Sequence, residues 1–380
     1  MGKAVVIAVF RRAYAAFRGF DDETGSVPMM DGPLRPNALL DAMPVVLTLP
    51  DVDNLSAWRD GLMCSSGREA FRLVRSKDSL AIAERHVFEG PVSCLAAERG
   101  GGLAVGLDGQ GVIVVEGPHA GRKISEVGGQ PLSCPTAALF DGPDRLVIAN
   151  GAASVTTADW KRDLMEHGAS GAVWDVDLAR AEAAPALLAG GLAFPSGLAL
   201  APNGGLFVSE AWRHQIVRIE GRIVDAPPRA LVRDLPGYPG RISPRRAGGF
   251  WLAMFAPRNQ LVEFVLREHE YRRRMIDNID PAYWIAPALS SGASFLEPIQ
   301  GGARKKLNRL KPWSPSWSYG LVARCDAAMR PIASFHSRAD GRVHGVTSCC
   351  ELEGAFYAAA KGSGIVVAMD IAGAEGETPA

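Results

Sequence analysis

The chain has 380 residues, 47% hydrophobic and 22% charged, and its 41 Lys plus Arg balance its 41 Asp plus Glu. A neutral chain offers no overall field to draw in nucleic acid or an acidic membrane, which leaves a small molecule as the expected partner. The length is great for one hydrophobic core but suits a ring of small cores, and 42 glycines suit many strands and turns.

The chain opens Met1-Gly-Lys-Ala-Val-Val-Ile-Ala-Val-Phe-Arg-Arg. Its apolar run of about seven residues is too short to span a bilayer. No clear small-residue cleavage site follows, so a signal peptide is not expected. From Ala4 to Phe20 apolar residues and arginines interleave at helical spacing. This predicts an amphipathic helix packed on the outside of the fold, with peripheral membrane contact as the alternative. Gly25 to Arg35 is a Pro/Gly-rich lead-in, so residues 1–43 are read as a helix and lead-in ahead of the main domain.

From Val45 onward one pattern recurs. A turn followed by a Leu- or Phe-rich strand begins at positions 60, 102, 145, 205, 249 and 354, at intervals of 42, 43, 60, 44 and 105 residues. Three intervals match the period of four-stranded propeller blades. Insertions at 152–170 and 267–318 account for the two long ones. The clearest unit, Leu192 to Ile219, reads as three strands, Gly197–Ala201, Leu206–Glu210 and Gln215–Ile219, with a turn at Pro202-Asn203-Gly204. The expected fold is all-β: a six-bladed propeller of four-stranded antiparallel blades over residues 44–370, followed by a disordered tail at 371–380.

In chain order, Val45–Leu49 opens the first blade, which also includes Asp51–Trp58 and Phe71–Val74. Pro91–Glu116 forms the second blade and Cys134–Leu178 the third, whose insertion carries a short helix over Ala158–Met165. Blade four is the Leu192–Ile219 unit, blade five runs from Leu235 to Val265, and blade six covers Gly320–Asp370. The second insertion mixes aromatics (Tyr283, Trp284, Trp313, Trp317) with basic residues (Arg272, Arg273, Arg274, Lys305, Lys306). Interleaved with Ile, Leu and Pro, it reads as a lid or side-packing segment rather than a nucleic-acid patch. Long insertions on one face of a repeat protein often border its binding site.

The six cysteines form no CxxC pair and several sit in apolar runs, so they read as buried free thiols in a cytoplasmic protein. Gly100-Gly-Gly and Gly248-Gly are turns, because no helix follows to hold a phosphate. The seven histidines show no zinc-ligand spacing.

The run GGLAFPSGLALAPNGGLFVSEAWRHQIVRI, the DLPGYPGRI that starts blade five, GGFWLAM after it, HGVTSCCELEGAFYAA in blade six and ADWKRDLMEHGASGAVWDVD in the first insertion carry a resemblance. Over about Pro44 to Asp370 the chain resembles the strictosidine synthase-like six-bladed propellers, whose wider relatives are the paraoxonases and the gluconolactonase/senescence marker protein group. The resemblance implies a small-molecule site in the central channel and leans toward ester or lactone hydrolysis. A non-catalytic binding propeller and an amine-aldehyde condensation are the alternatives.

Many of these relatives hold calcium with Glu, Asn and Asp ligands from different blades. By motif the ligand positions fall at Asn54, Thr136, Ser196 and Arg241, a set with no carboxylate and one fixed cation, so no metal or other cofactor is expected. The glutamate of the condensing enzyme falls at Thr347, beside Ser348. What remains is Arg241 as a fork for an anionic group, held by Glu210, with Asn54, Trp212, Thr347 and Ser348 around the ligand. His344 is the expected acid or base, and Ser196 or Thr136 the expected nucleophile.

Overall fold

The computed structural model describes residues 27–98, 100–180, 182–221, 227–291, 305–306, 309–310 and 318–371. The helix expected over 4–20, the lid tryptophans Trp313 and Trp317 and the tail beyond Ile371 lie outside them. Among the described residues no helix is long and apolar enough to cross a membrane.

Six four-stranded antiparallel sheets form the blades of a propeller. Five of them pair their strands in sequence from the channel outward, the sixth takes its outer strand from the start of the domain, and the first strands pack on one another in a closed ring: Asp53–Trp58, Val92–Ala97, Pro135–Phe140, Pro195–Leu200, Gly237–Pro244 and Val346–Leu352. The six recurring motifs are the second strands: Gly61–Ser66, Leu103–Leu107, Arg145–Asn150, Leu206–Glu210, Phe250–Pro257 and Ala355–Ala360. Second strands lie between two others and between two blades, so they are buried on both faces. That burial requires an unbroken apolar run, and such a run is what recurs along the chain.

Six apolar clusters join neighbouring blades around the ring. Between blades one and six, for example, Leu62, Phe71 and Leu73 meet Tyr357, Ala359 and Val366. All six cysteines are buried and free, most of them within these clusters.

Several boundaries differ from the sequence reading. Val45–Thr48 does not open blade one; it pairs antiparallel with Ile365–Asp370 as the outer strand of blade six and so closes the ring with the two ends of the domain. Gly320–Cys325 and Pro331–Ser337 complete blade five rather than beginning blade six. Blade five's second strand ends at Pro257 and the chain then forms helices Gln260–Arg267 and His269–Asn278, so the second insertion begins before Val265. The outer strands Lys123–Ile124, Ala186–Leu192 and Arg229–Val232 extend blades two, three and four. They were missed because a short or half-exposed outer strand has no period-two apolar signal.

Ahead of the ring, residues 27–43 are laced to the outer strand of blade five. Asn37 donates from Nδ2 to the Ser334 carbonyl at 2.9 Å and accepts from the His336 N–H at 3.0 Å. Asp41 accepts from Ser337 Oγ at 2.7 Å, and Leu40 and Met43 enter the core between blades five and six.

Candidate functional site

Every first strand loses register near its start: after Asp53, Val92, Pro135, Pro195, Pro239 and Val346. A bulge releases a residue from the ladder and re-aims it. The residues at these breaks, Asp53, Ser93, Thr136, Ser196, Arg241 and Thr347, supply one side chain per blade to a cavity of about 320 Å³ at one mouth of the channel.

The two insertions cap this mouth. Leu164 and Met165 of the first share an apolar core with Val262, Val265, Leu266, Met275 and Trp284 of the second, over Tyr238 and Ala256 of blade five. The first insertion forms a helix over Trp160–Met165, as its sequence predicts. Asp108 anchors its approach by accepting from the Thr157 N–H at 2.6 Å and the Ala158 N–H at 3.3 Å. Trp160 from this cap and Phe194, Trp212 and Phe255 from blades three to five supply the apolar wall, and Leu289 of the second insertion completes it. Trp212 Nε1 donates to Asp163 Oδ2 at 2.7 Å, tying wall to cap.

Leu289 sits against the turns of blade six so closely that a Cβ added at Gly362 would lie 1.9 Å from its carbonyl oxygen. Gly362→Ala is therefore expected to push the Leu289 segment outward and to cost roughly 1–3 kcal/mol, read as a lower melting temperature with the ring itself retained.

The cavity's charges form one cluster. Arg241 Nη1 donates to Asp53 Oδ1 at 2.9 Å and Nη2 to the Ser93 carbonyl at 2.9 Å, while Lys361 Nζ donates to Asp53 Oδ2 at 3.2 Å. Burial alone would raise the Asp53 pKa, but Arg241 and Lys361, helped by Thr347 and the Asn54 N–H, outweigh it and hold the carboxyl below its ordinary value. Asp53 is thus a carboxylate at neutral pH bracketed by two cations. A guanidinium carries more N–H donors than these two bonds use, and Arg241 and Lys361 side chains are 23% and 33% exposed, so both still face the cavity. Ser93 Oγ and Thr347 Oγ1 have no well-formed hydrogen bond of their own.

Of the residues singled out in the sequence, Thr136, Ser196, Trp212, Arg241 and Thr347 come together here. The expected partner of Arg241 does not: Glu210 is taken up by the Ala193 N–H at 2.8 Å and Arg213 at 2.6 Å, and Asp53 holds the arginine instead. Asn54 has φ 59° and turns away to Ser65 Oγ at 2.7 Å. The bulge at this point gives the cavity the preceding residue, an offset of one that motif matching could not see.

Ser348 accepts from the Leu55 N–H at 2.9 Å and is buried outside the cavity. The hydroxyls expected as nucleophiles serve as stitches between blades, Thr136 donating to the Pro195 carbonyl and Ser196 to the Pro239 carbonyl at 2.7 Å. His344 does not line the cavity; its ring is held by Ser318 Oγ at 2.7 Å and the Arg338 carbonyl at 2.8 Å. The Cys94 thiol beside Arg241 is pushed up to about 12 by burial and is no nucleophile. Sequence reasoning missed Asp53, Lys361 and the wall residues Trp160, Phe194 and Phe255. The PDVDN run at 50–54 was a signal for the first; an isolated lysine in a blade turn gave none. Among the described residues no group of three or more His, Cys, Asp or Glu gathers as a metal site.

No protein-family model matches the chain, and no curated protein sequence matches it. Solved structures share the fold at low identity. A gluconolactonase from Xanthomonas campestris is 11% identical with a TM-score of 0.53, over 91% of this chain and 97% of that one. A second protein, described as a candidate gluconolactonase, is 11% identical with a TM-score of 0.51, over 86% of this chain and 90% of its own. These likenesses establish the six-bladed propeller and nothing finer.

Proposed function

We propose that the capped channel mouth binds a small organic anion and hydrolyses an ester or lactone without a metal. The observation that carries this reading is the Asp53 carboxylate with a cation on each oxygen, at the inner end of an apolar-walled cavity. Such a cluster receives a carboxylate product or an oxyanion through charge-assisted hydrogen bonds. A relative named as a gluconolactonase and the sequence resemblance to lactone- and ester-hydrolysing propellers support the same reaction class.

The residues do not fit calcium. That ion needs several hard oxygens with carboxylate charge. Of the two carboxylates that line the cavity, Asp53 has both oxygens engaged by cations and Asp108 is spent on the Thr157 and Ala158 N–H groups, while Thr136 and Ser196 are spent on backbone carbonyls. The hydrolytic step assigned to this chain uses its own groups. Asp53 takes a proton from water as the water oxygen bonds to the acyl carbon, and Arg241 and Lys361 stabilise the oxyanion. Collapse breaks the acyl C–O bond, and the proton returns from Asp53 to the leaving oxygen.

A second reading, a binding propeller without turnover, is favoured by two observations: among the described residues no histidine lines the cavity, and its base is held below the ordinary carboxylate range. The amine-aldehyde condensation has no carboxylate at Thr347. The test is a panel of lactones, aryl esters and amine-aldehyde pairs with and without chelator, followed by a melting-temperature screen of the acid products. Chelator-insensitive lactone or ester turnover supports the hydrolase. Melting shifts without turnover support the binder, and activity abolished by chelator overturns the metal-free mechanism.

A further inference from the structure

We infer that the ligand of this site is a flat aromatic ring carrying a carboxylate. The inference rests on the small-anion reading above and narrows it by the geometry of the wall.

Trp160, Trp212 and Phe255 are each only half buried although they stand inside the fold around the cavity. Apolar ring area left facing a cavity is area that a ligand gains by covering. The rings lie in two orientations. Trp160 and Trp212 are near-parallel, 29° apart with centroids at 6.1 Å, and Phe194 stacks on Trp212 at 4.4 Å and 24°. Phe255 stands across both, at 76° and 5.7 Å from Trp160 and at 82° and 6.4 Å from Trp212. The wall is therefore a corner of two ring planes.

A flat aromatic ring seated in that corner offers its face to one plane and its edge to the other at once, the two arrangements that aromatic pairs prefer. A saturated ring can make only dispersion contacts there. A sugar acid is served worse, because its hydroxyls would need partners along the wall, whereas the unengaged Ser93 Oγ and Thr347 Oγ1 belong to the strands that carry the charge cluster. The polar groups at the cap are already spent on one another, Asp108 accepting from the Thr157 N–H and hydroxyl and from the Ala158 N–H. The corner is also fixed in advance, since Asp163 holds Trp212 and Asp108 holds the segment that carries Trp160. A rigid wall keeps the ordering cost of binding low. In the same cavity Arg241 and Lys361 form the only cationic pair among the described lining residues, and they fix where the anionic group sits. A cavity of about 320 Å³ admits a single small ring with a short acidic arm.

The experiment uses four probes on the full chain: phenylacetate, cyclohexylacetate, gluconate and neutral phenylacetamide. Binding is followed by calorimetry and tryptophan fluorescence. Phenylacetate is expected to bind and to perturb tryptophan emission. Cyclohexylacetate should bind several-fold more weakly, and phenylacetamide at least about tenfold more weakly, the worth of a charge-assisted contact. Trp160→Leu should erase the preference for phenylacetate over cyclohexylacetate while leaving carboxylate binding. Lys361→Met should erase the preference for phenylacetate over phenylacetamide. If gluconate or cyclohexylacetate binds as well as or better than phenylacetate, the aromatic assignment is overturned and the anion site stands. If no carboxylate binds to the folded protein, both readings fall. Equal binding of phenylacetamide and phenylacetate would overturn the role of the cations.

Discussion

A chain shortened to begin at Asp51 is expected not to form the closed ring. Val45–Thr48 supplies the outer strand of blade six, with Val45 opposite Val367 and Leu47 opposite Val366. Without it, Ile365–Asp370 becomes a bare edge, and the Leu49 N–H to Gly364 and Ala368 N–H to Pro44 hydrogen bonds at 2.8 and 3.1 Å are lost. The same cut removes Leu40 and Met43, which are 0% and 3% exposed in the core between blades five and six. Deleting one such side chain costs about 2–5 kcal/mol, and whole domains are stable by only about 5–15 kcal/mol, so the sum reaches the net stability of the fold. An unpaired edge next to freshly exposed valines is also an aggregation template. The truncated chain should elute as aggregate and show no cooperative melt. Appending residues 44–50 after Asp370 through a short turn should restore the strand as a hairpin and recover part of the stability. A truncated chain that melts within a few degrees of the parent would show that this strand does not close the ring.

The second large effect is expected at Asp53. Asp53→Ala leaves Arg241 and Lys361 side by side without their carboxylate. Removing one partner of a fully buried pair costs about 3–5 kcal/mol. The cations here are 23% and 33% exposed, so water takes up part of the loss, and about 2 kcal/mol is the expected figure. In a chain of 380 residues that is a fall of about 2–3 degrees in melting temperature.

The pH dependence follows from the direction of the shift. Asp53 has a folded pKa below its unfolded value near 3.8, so it stabilises the fold fully above the ordinary carboxylate range. That stability is lost as pH falls through the folded value, because the unfolded chain binds the proton first. Parent and Asp53→Ala melting temperatures should therefore converge as pH drops below about 4. Asp53→Asn should lose ester or lactone turnover by about a hundredfold or more, the scale of general-base catalysis, while carboxylate binding survives on Arg241 and Lys361. A variant whose melting temperature and turnover both match the parent's would remove Asp53 from the site.

The legible part of this protein is the part with a strong period. The second strands Leu206–Glu210 and Ala355–Ala360 are buried along their whole length and Leu103–Leu107 at all but its last residue, so their sequences are mostly apolar, and their spacing reveals the blades. The outer strands carry no such mark: Ser79–Val87 is mostly exposed and accepts Glu84, Arg85 and His86. The cavity's wall was half legible, since the first insertion announced a cap through its polar composition and its helix, but which rings it would face could not be read.

Sequence alone determined the all-β class and the six blades, and the resemblance to known propellers implied the placing of Thr136, Ser196, Arg241, Thr347 and Trp212 around one channel mouth. The class and the blades follow from short-range patterns: a strand's period, a turn's glycine, a motif's spacing. Only the tertiary structure decided that Asp53 rather than Asn54 faces the cavity, because a bulge of one residue reverses which side chain leaves the ladder. Only it paired Asp53 with Arg241 and with Lys361, 188 and 308 residues away in the chain. Only it removed His344 to a turn outside the site and joined Val45–Thr48 to the far end of the domain. Charge pairing and ring closure are properties of distance in space, which the closed ring sets and which no local pattern along the chain encodes.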